Sequence, residues 1–335
     1  HGTTGVSIKR KSDANEIKAH LKTHKALPLL GQARSWWPDY LFRFDNIEAA
    51  TKILNSNKIL SRMAALDTGV MASDSASPKV IASTTDRWKQ YVRLYFRPRT
   101  PTQYSSEGFR TAGCYVHGAH CPAPVVMLFD AADIITRENT AFSDGNLAAN
   151  PATGNSVSFF KSIPFEKVYH DRWFEPNQKG NIIFHRNAEV IIPNELDLSP
   201  LRFIGCRTQA EYETLLYLLE PKTRIKWSDK IGLGTKMNLH YRQWTFVEQV
   251  ELSTKTIRFR FNPSSKTPGP FIARVEILED ATDNKYSWED NSYLANSILE
   301  LNLGKIKHPE GYTIHLTLDG NLAYSNHYEE IDIPF

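Results

Sequence analysis

In the run His185-Arg186-Asn187-Ala188-Glu189-Val190-Ile191-Ile192-Pro193, one carboxylate heads an otherwise apolar, strand-like segment. Burying an ionised carboxylate is costly unless it is paired or used. The pattern therefore puts Glu189 at the exposed end of a strand, aimed into a cleft, where it can act on a bound molecule. The plainer alternative is a strand-end glutamate in a surface ion pair. A second segment, Tyr91-Val92-Arg93-Leu94-Tyr95-Phe96-Arg97-Pro98-Arg99-Thr100-Pro101, sets Arg97 just before Pro98 and Arg99 between Pro98 and Pro101. Each proline fixes its own φ, so the loop holds a guanidinium in place at low entropic cost. A planar fork of donors there suits a phosphate or a developing negative charge. Asp144-Gly145-Asn146 reads as a turn. Between Lys161 and Arg186 lie Tyr169, His170, Arg172, Trp173 and Phe174. Aromatic rings beside basic groups suit stacking on an unpaired base with phosphate contacts, although Trp173 could instead anchor the loop in the core.

The elements that must carry these residues follow from periodicity. Residues 1–12 read as disordered. Asp13 to His24 reads as an amphipathic helix, with Asp13 and Glu16 as a capping box. Residues 36–44 read as a strand, and Ile47 to Asn55 as a helix capped by Asp45-Asn46. Small polar residues over 63–86 predict a mobile loop. Strands are expected at 91–96, 124–129, 188–192 and 201–205, with a short helix or loop at Ser158–Lys167. Thr208 to Glu220 reads as a helix, with Thr208 and Glu211 as its capping box. From about residue 224, alternation of period two takes over: Ile257, Phe259 and Phe261, then Ile314, Leu316 and Leu318, with a hairpin signal at Asp319-Gly320. This predicts an α+β unit over residues 1–221 and a β-sandwich accessory domain over residues 222–335, divided near Pro221-Lys222. Trp227, Trp244 and Tyr324 suit either an interface or its core.

Taken in order, Tyr95-Phe96-Arg97-Pro98-Arg99-Thr100-Pro101, Asp144-Gly145-Asn146 and Ala188-Glu189 resemble the DarT family, toxins that use NAD+ to ADP-ribosylate bases of single-stranded DNA. The resemblance covers roughly residues 36 to 220. It implies an ADP-ribosyltransferase-like fold with two small β-sheets around an NAD cleft. It assigns catalysis to Glu189 and Arg99, with Glu189 stabilising an oxocarbenium-like transition state or assisting the attacking base. The residues it places around NAD+ are Tyr40, Arg43, Asn46, Arg62, Tyr95, Asp144 and Asn146. Arg97, Tyr169, His170, Arg172 and Trp173 fall to the nucleic-acid substrate. Tyr40 and Arg43 stand where the family pattern has two histidines, and Arg97 where it has asparagine. The implied partners are single-stranded DNA, with RNA as the alternative, and an antitoxin or macrodomain-type neutralising protein. A pure nucleic-acid- or protein-binding module is the competing class. If the C-terminal domain is regulatory, deleting residues 224–335 should spare NAD+ chemistry.

Composition agrees with a globular protein: 335 residues, 41% hydrophobic and 23% charged. The net charge of +3 hides an asymmetry. Residues 1–110 carry 18 Lys and Arg against 9 Asp and Glu; residues 111–221 carry 8 against 13; residues 222–335 carry 14 against 15. The positive excess lies with the arginine-rich segment and would draw phosphates. No apolar run is long enough for a membrane span. Three cysteines, Cys114, Cys121 and Cys206, fit a reducing compartment, and a cytoplasmic location is expected. The cluster Cys114, His117, His120 and Cys121 lacks a standard zinc spacing, and no metal is expected. The absence of a phosphate-binding glycine motif leaves a hydride-transfer enzyme unsupported.

Overall fold

The computed structural model describes residues 7–69 and 86–332. Ten strands build the first unit: β1 (Tyr40–Asn46), β2 (Lys58–Leu60), β3 (Tyr91–Tyr95), β4 (Pro124–Asp130), β5 (Ala141–Ser143), β6 (Thr153–Gly154), β7 (Glu189–Pro193), β8 (Glu195–Asp197), β9 (Leu201–Cys206) and β10 (Ile231–Leu233). Eight of them form one sheet in the order β10-β9-β4-β1-β3-β7-β5-β6, and β2 with β8 makes a two-stranded ribbon. The α+β class is therefore as expected, with two very unequal sheets. β4 lies near the sheet's centre, and its residues 124–129 are all buried. Such continuous burial explains why its sequence runs apolar rather than alternating.

Seven further strands follow: β11 (Val247–Leu252), β12 (Thr256–Phe261), β13 (Phe271–Glu279), β14 (Lys285–Tyr293), β15 (Ile298–Asn302), β16 (Gly311–Leu318) and β17 (Asn321–Glu329). They form a three-stranded sheet, β11-β12-β15, and a four-stranded sheet, β14-β13-β16-β17. In β13 buried and more exposed residues alternate along the whole strand, as a sheet with one core-facing side requires. Asp319 and Gly320 both have positive φ, 49° and 79°, and close the β16–β17 hairpin. That backbone suits a two-residue primed turn. Trp227, Trp244 and Tyr324 are all buried, so core packing is their role.

The two units share one contiguous apolar core. The helix Gln209–Leu218, with its cap Thr208, is one of the contacts between them. Tyr324 donates its hydroxyl to Glu213 Oε1 at 2.8 Å, Ser325 N donates to Thr214 Oγ1 at 3.1 Å, and Thr208 Oγ1 donates to the Val247 carbonyl at 2.7 Å. β10 lies beyond Pro221-Lys222 yet runs parallel to β9 in the first sheet.

Several local expectations need correction. Residues 1–6, 70–85 and 333–335 lie outside the described residues, including most of the loop expected over 63–86; Arg62–Thr68 is a helix. Arg10, expected to be disordered, bridges Arg137 and pairs with Asp133 at 3.0 Å. The first helix spans Ala14–Thr23, but its capping box does not form: Asp13 accepts from Val157 N, and Glu16 pairs with Lys161. Residues 37–39 form a short 3-10 turn, so β1 begins at Tyr40. Thr208 does cap its helix by accepting from Glu211 N, but the Glu211 carboxylate binds Arg207 instead of closing the box.

Three histidines are held neutral by burial. His24, His120 and His240 all have their pKa pushed down to about 4, chiefly by desolvation. His240 is buried, with Nε2 2.9 Å from the Pro124 carbonyl and Glu107, Arg207 and Arg242 as its charged neighbours. The unfolded chain takes up these protons near pH 6.5, the folded chain only near about 4. Their contribution to stability is therefore complete above about 6.5 and is lost as pH falls toward about 4. Thermal midpoints measured across that window should fall steadily, and a flat profile would contradict this.

Candidate active site

β7 opens with Glu189, and register places Tyr95 of β3 directly opposite. Arg93 lies two residues before Tyr95, hence on the same face of β3. Its guanidinium grips the carboxylate in a two-pronged pair: Nε to Oε1 at 2.8 Å and Nη2 to Oε2 at 2.9 Å. Leu147 N donates to Oε2 at 3.2 Å, and Glu189 N donates to Ser143 Oγ at 2.9 Å. Glu189 is only 1% exposed, so the expectation of an exposed strand end is corrected. The Arg93 fork and the Leu147 amide replace the water that an ionised carboxylate would otherwise require. Burial, and then the Glu189 charge, push the Tyr95 phenol up to about 12. Tyr95 thus remains a protonated donor, hydrogen-bonded with Thr102.

The Asp144-Gly145-Asn146 turn borders this carboxylate, as its position before Leu147 requires. Asp144 Oδ1 accepts from Ala152 N at 3.0 Å, its carbonyl accepts from His185 Nδ1 at 2.5 Å, and Asn146 Oδ1 accepts from Ala148 N at 3.0 Å. A Cβ on Gly145 would lie 2.3 Å from the Phe184 ring. Gly145→Ala should therefore displace Phe184, at a cost of about 1–3 kcal/mol. A drop in thermal midpoint with reduced activity is expected; an unchanged midpoint would count against this packing.

A second cluster gathers on Asp171. Arg97 Nη2 reaches Oδ1 at 2.6 Å, while Arg99 Nη2 and Arg34 Nη1 reach Oδ2 at 2.8 and 3.0 Å. Burial would raise the Asp171 pKa, but Arg97 and Arg99 reverse this and hold it at about 2. Arg186 lies close enough to feel Asp171, and its Nη2 contacts His170 Nδ1 at 2.9 Å. Four guanidinium groups thus surround one carboxylate. Arg34 Nε and Arg186 Nε are buried without an acceptor among the described residues. Such an excess of positive charge and donors suits an anionic ligand.

The two clusters adjoin. Thr102, which contacts Tyr95, also donates its hydroxyl to Asn187 Oδ1 at 3.1 Å, and Asn187 lies between Arg186 and Glu189 in the chain. A narrow recess, closed to even a water-sized molecule, is lined by Tyr95 of the first cluster and Arg97 of the second, with Phe42, Arg43 and Thr100 among its other walls.

The sequence-predicted residues divide accordingly. Glu189, Tyr95, Asp144 and Asn146 lie in or beside the first cluster, Arg97, Arg99 and His170 in the second. Arg43 lines the recess but is already forked onto Asp45, at 2.8 and 3.1 Å. Asn46 is 7% exposed, and its Oδ1 accepts from Ala123 N at 3.0 Å. Arg62 is half-buried at the start of its helix, after the cap Ser61. Tyr40 is not brought to Glu189. It fronts a separate cavity of about 490 Å³ with Lys18, Lys22, Asp39, Asp130 and Arg202.

Two substrate-side expectations are corrected. Arg97 is 1% exposed and spends its donors on Asp171, the His170 carbonyl and the Pro98 carbonyl. Tyr169 is fully buried against Phe165, so it serves the core rather than a base. Arg172 is exposed, and Trp173 is 77% exposed, which excludes the core-anchor reading. Cys114 is exposed while Cys121 is buried, and His120 stacks on Tyr115. Among the described residues no group of His, Cys, Asp and Glu side chains is placed to hold a metal.

Sequence reading missed Arg93, Asp171, Arg34 and Arg186. Strand alternation carried the signal for Arg93. The joining of Asp171 to arginines 72 and 74 positions away in sequence is a product of the fold alone.

The DarT family profile, described as "ssDNA thymidine ADP-ribosyltransferase, DarT", matches residues 42–232. None of the curated proteins compared with the chain matches it. Among solved structures, the chain is similar to Thermus sp. 2.9 DarT in complex with ADP-ribosylated ssDNA, at 14% identity and a TM-score of 0.46, covering 61% of this chain and 97% of that one. It is similar to the NAD+ complex of the same protein at 14% identity and a TM-score of 0.44, covering 61% and 98%. It is also similar to Thermosipho africanus DarTG in complex with ADP-ribose, at 16% identity and a TM-score of 0.46, covering 64% and 53%. The profile match takes in more than half of the chain, from β1 to β10, and the chain belongs to the DarT family: it is an NAD+-dependent ADP-ribosyltransferase acting on single-stranded DNA.

Proposed function

We propose that Glu189 and Arg99 carry the transfer of ADP-ribose from NAD+ to thymidine in single-stranded DNA. The observation that carries this reading is the buried Glu189 carboxylate, oriented by Arg93 and adjoining an arginine cluster with unused donors. NAD+ supplies the ribose whose bond to nicotinamide breaks. Glu189 Oε1 accepts a bond from Arg93 among the described residues and retains acceptor capacity for a ribose hydroxyl. Its negative charge lies where positive charge develops on the ribose. Tyr95, a protonated donor beside it, helps fix the sugar. Arg99, supported by Arg34 and Arg186, faces the phosphates or the charge left on the base. Arg43, Arg62, Asp144 and Asn146 line the approach to the cofactor. The recess has no room for even a water-sized molecule, so binding must open it.

Exposed Trp173, with Arg172 and His170, forms the platform for an unpaired base. The family match favours DNA over RNA, and the acidic-residue and arginine chemistry favours an enzyme over a pure binding module. A covalent adduct on a DNA base would block replication, so the reading implies a toxin with a neutralising partner, such as an antitoxin or macrodomain-type hydrolase. No helix among the described residues is long and apolar enough to cross a membrane, and action inside the cell requires access to DNA. The C-terminal sheets, taken as an accessory unit entered after β10, support the transferase unit or bind a partner.

The test is incubation with NAD+ and separate dT, dA, dC and dG oligomers, followed by mass spectrometry. Adducts on dT alone are expected. Adducts on another base alone would overturn the thymidine assignment.

A further inference from the structure

Arg99 is held from two directions, and only one lies within the matched family region. Asp171 belongs to that region, whereas Asn238 and Tyr241 lie beyond residue 232. The Asn238 carbonyl accepts from Arg99 Nε at 2.8 Å. The Tyr241 hydroxyl donates to the carbonyls of Arg99 and Thr100, and its ring centre is 5.8 Å from the Arg99 guanidinium. Arg99 has φ of +50°, a left-handed backbone that is strained for a non-glycine residue. Such a conformation persists only where its surroundings impose it. The surroundings here are firmly anchored. Glu107 accepts from Tyr241 N at 3.1 Å and from Arg242 N at 2.7 Å, and Gln103 Nε2 donates to the Leu239 carbonyl at 3.0 Å. Gln103 belongs to the helix Pro101–Ser106 that directly follows Arg99, and Glu107 caps its end. Burial pushes the Tyr241 phenol up to about 12, so it remains a donor.

We propose that the segment Asn238–Tyr241 is a positioning element for Arg99, with the Tyr241 hydroxyl fixing the strained backbone and the Asn238 carbonyl aiming the guanidinium. The proposal rests on the assignment of Arg99 given above. It makes the segment leading into the C-terminal sheets part of the machinery of transfer, rather than a passive linker. The placement of Arg99 then depends on residues beyond the matched family region.

Tyr241→Phe removes the hydroxyl while nearly preserving volume. In the full-length chain, with NAD+ varied at saturating dT oligomer, kcat should fall about 10- to 100-fold, as misplacement of a reacting group does, with little change in KM. The thermal midpoint should stay within a few degrees. Arg99→Lys and the double variant complete a cycle. If Tyr241 acts through Arg99, the Tyr241→Phe loss should largely vanish in the Arg99→Lys background. A Tyr241→Phe enzyme at parental kcat, an equal loss in both backgrounds, or a Tyr241→Phe chain that fails to fold would each overturn the proposal. Arg99→Lys at parental rate is a different failure: it would sink the Arg99 assignment itself.

Discussion

Glu189→Gln should lose at least about 100-fold in ADP-ribosyl transfer while the protein stays folded, because charge stabilisation at a reacting centre is commonly worth that much. Glutamine keeps the shape of the side chain, and its one amide oxygen, set at the Oε2 position, can still accept from Arg93 Nη2 and Leu147 N, while the amide NH2 gives up the bond from Arg93 Nε. It cannot supply the negative charge. Glu189→Ala is the harsher variant, since it strips the buried Leu147 amide of its acceptor, a loss of about 1–3 kcal/mol. Arg93 is 24% exposed and can recover some hydration, so the fold should tolerate even this change. The measurement is the initial rate of label transfer from NAD+ to an oligonucleotide, with thermal unfolding in parallel. A folded Glu189→Gln enzyme within tenfold of the parent rate would remove Glu189 from the chemistry.

Deleting the C-terminal region should be nearly as severe. A purely regulatory appendage over residues 224–335 would be dispensable for NAD+ chemistry. The structure argues otherwise. That deletion removes β10 from the main sheet, and with it the Asn238–Tyr241 segment that grips the Arg99 loop. Even a milder cut after β10 uncovers the helix Gln209–Leu218, whose Thr214 and Glu213 bond to β17. It also divides a single apolar core. Residues 1–233 expressed alone should be insoluble, or soluble with transfer reduced to background. A folded, fully active fragment would show that the C-terminal sheets are dispensable, contrary to this account.

Legibility followed the range of the interactions involved. Strands with uninterrupted or alternating apolar patterns, such as β4, β13 and β16, could be read because burial on one or both faces leaves its mark on neighbouring residues. The Asp319-Gly320 hairpin was legible because its turn needs positive φ at both positions. Helix caps fared worse. Asp13, Glu16 and Glu211 have the right spacing for reciprocal caps, yet each found a stronger or more distant partner in Val157 N, Lys161 and Arg207. At the site, the sequence pointed to the carboxylate but not to its burial, because the compensating Arg93 lies 96 positions away. The family pattern separates Arg97 from Arg99, but the chain gives no sign that the two share a partner. The fold buries the first and leaves the second partly accessible, at 1% and 14% side-chain exposure, through one shared carboxylate at Asp171. Nothing around Asp171 in sequence announces that role. The eight-stranded sheet also ends beyond the Pro221-Lys222 break, because Pro221 starts a helix that returns the chain to β9 rather than ending the unit.

The most direct test of the central claim is mass spectrometry of single-stranded DNA after incubation with NAD+ and either the parent protein or Glu189→Gln. One added ADP-ribose is expected on thymidine-containing strands with the parent, and at most a trace with the variant. An equal adduct from both proteins, or none from a folded parent, would contradict the claim.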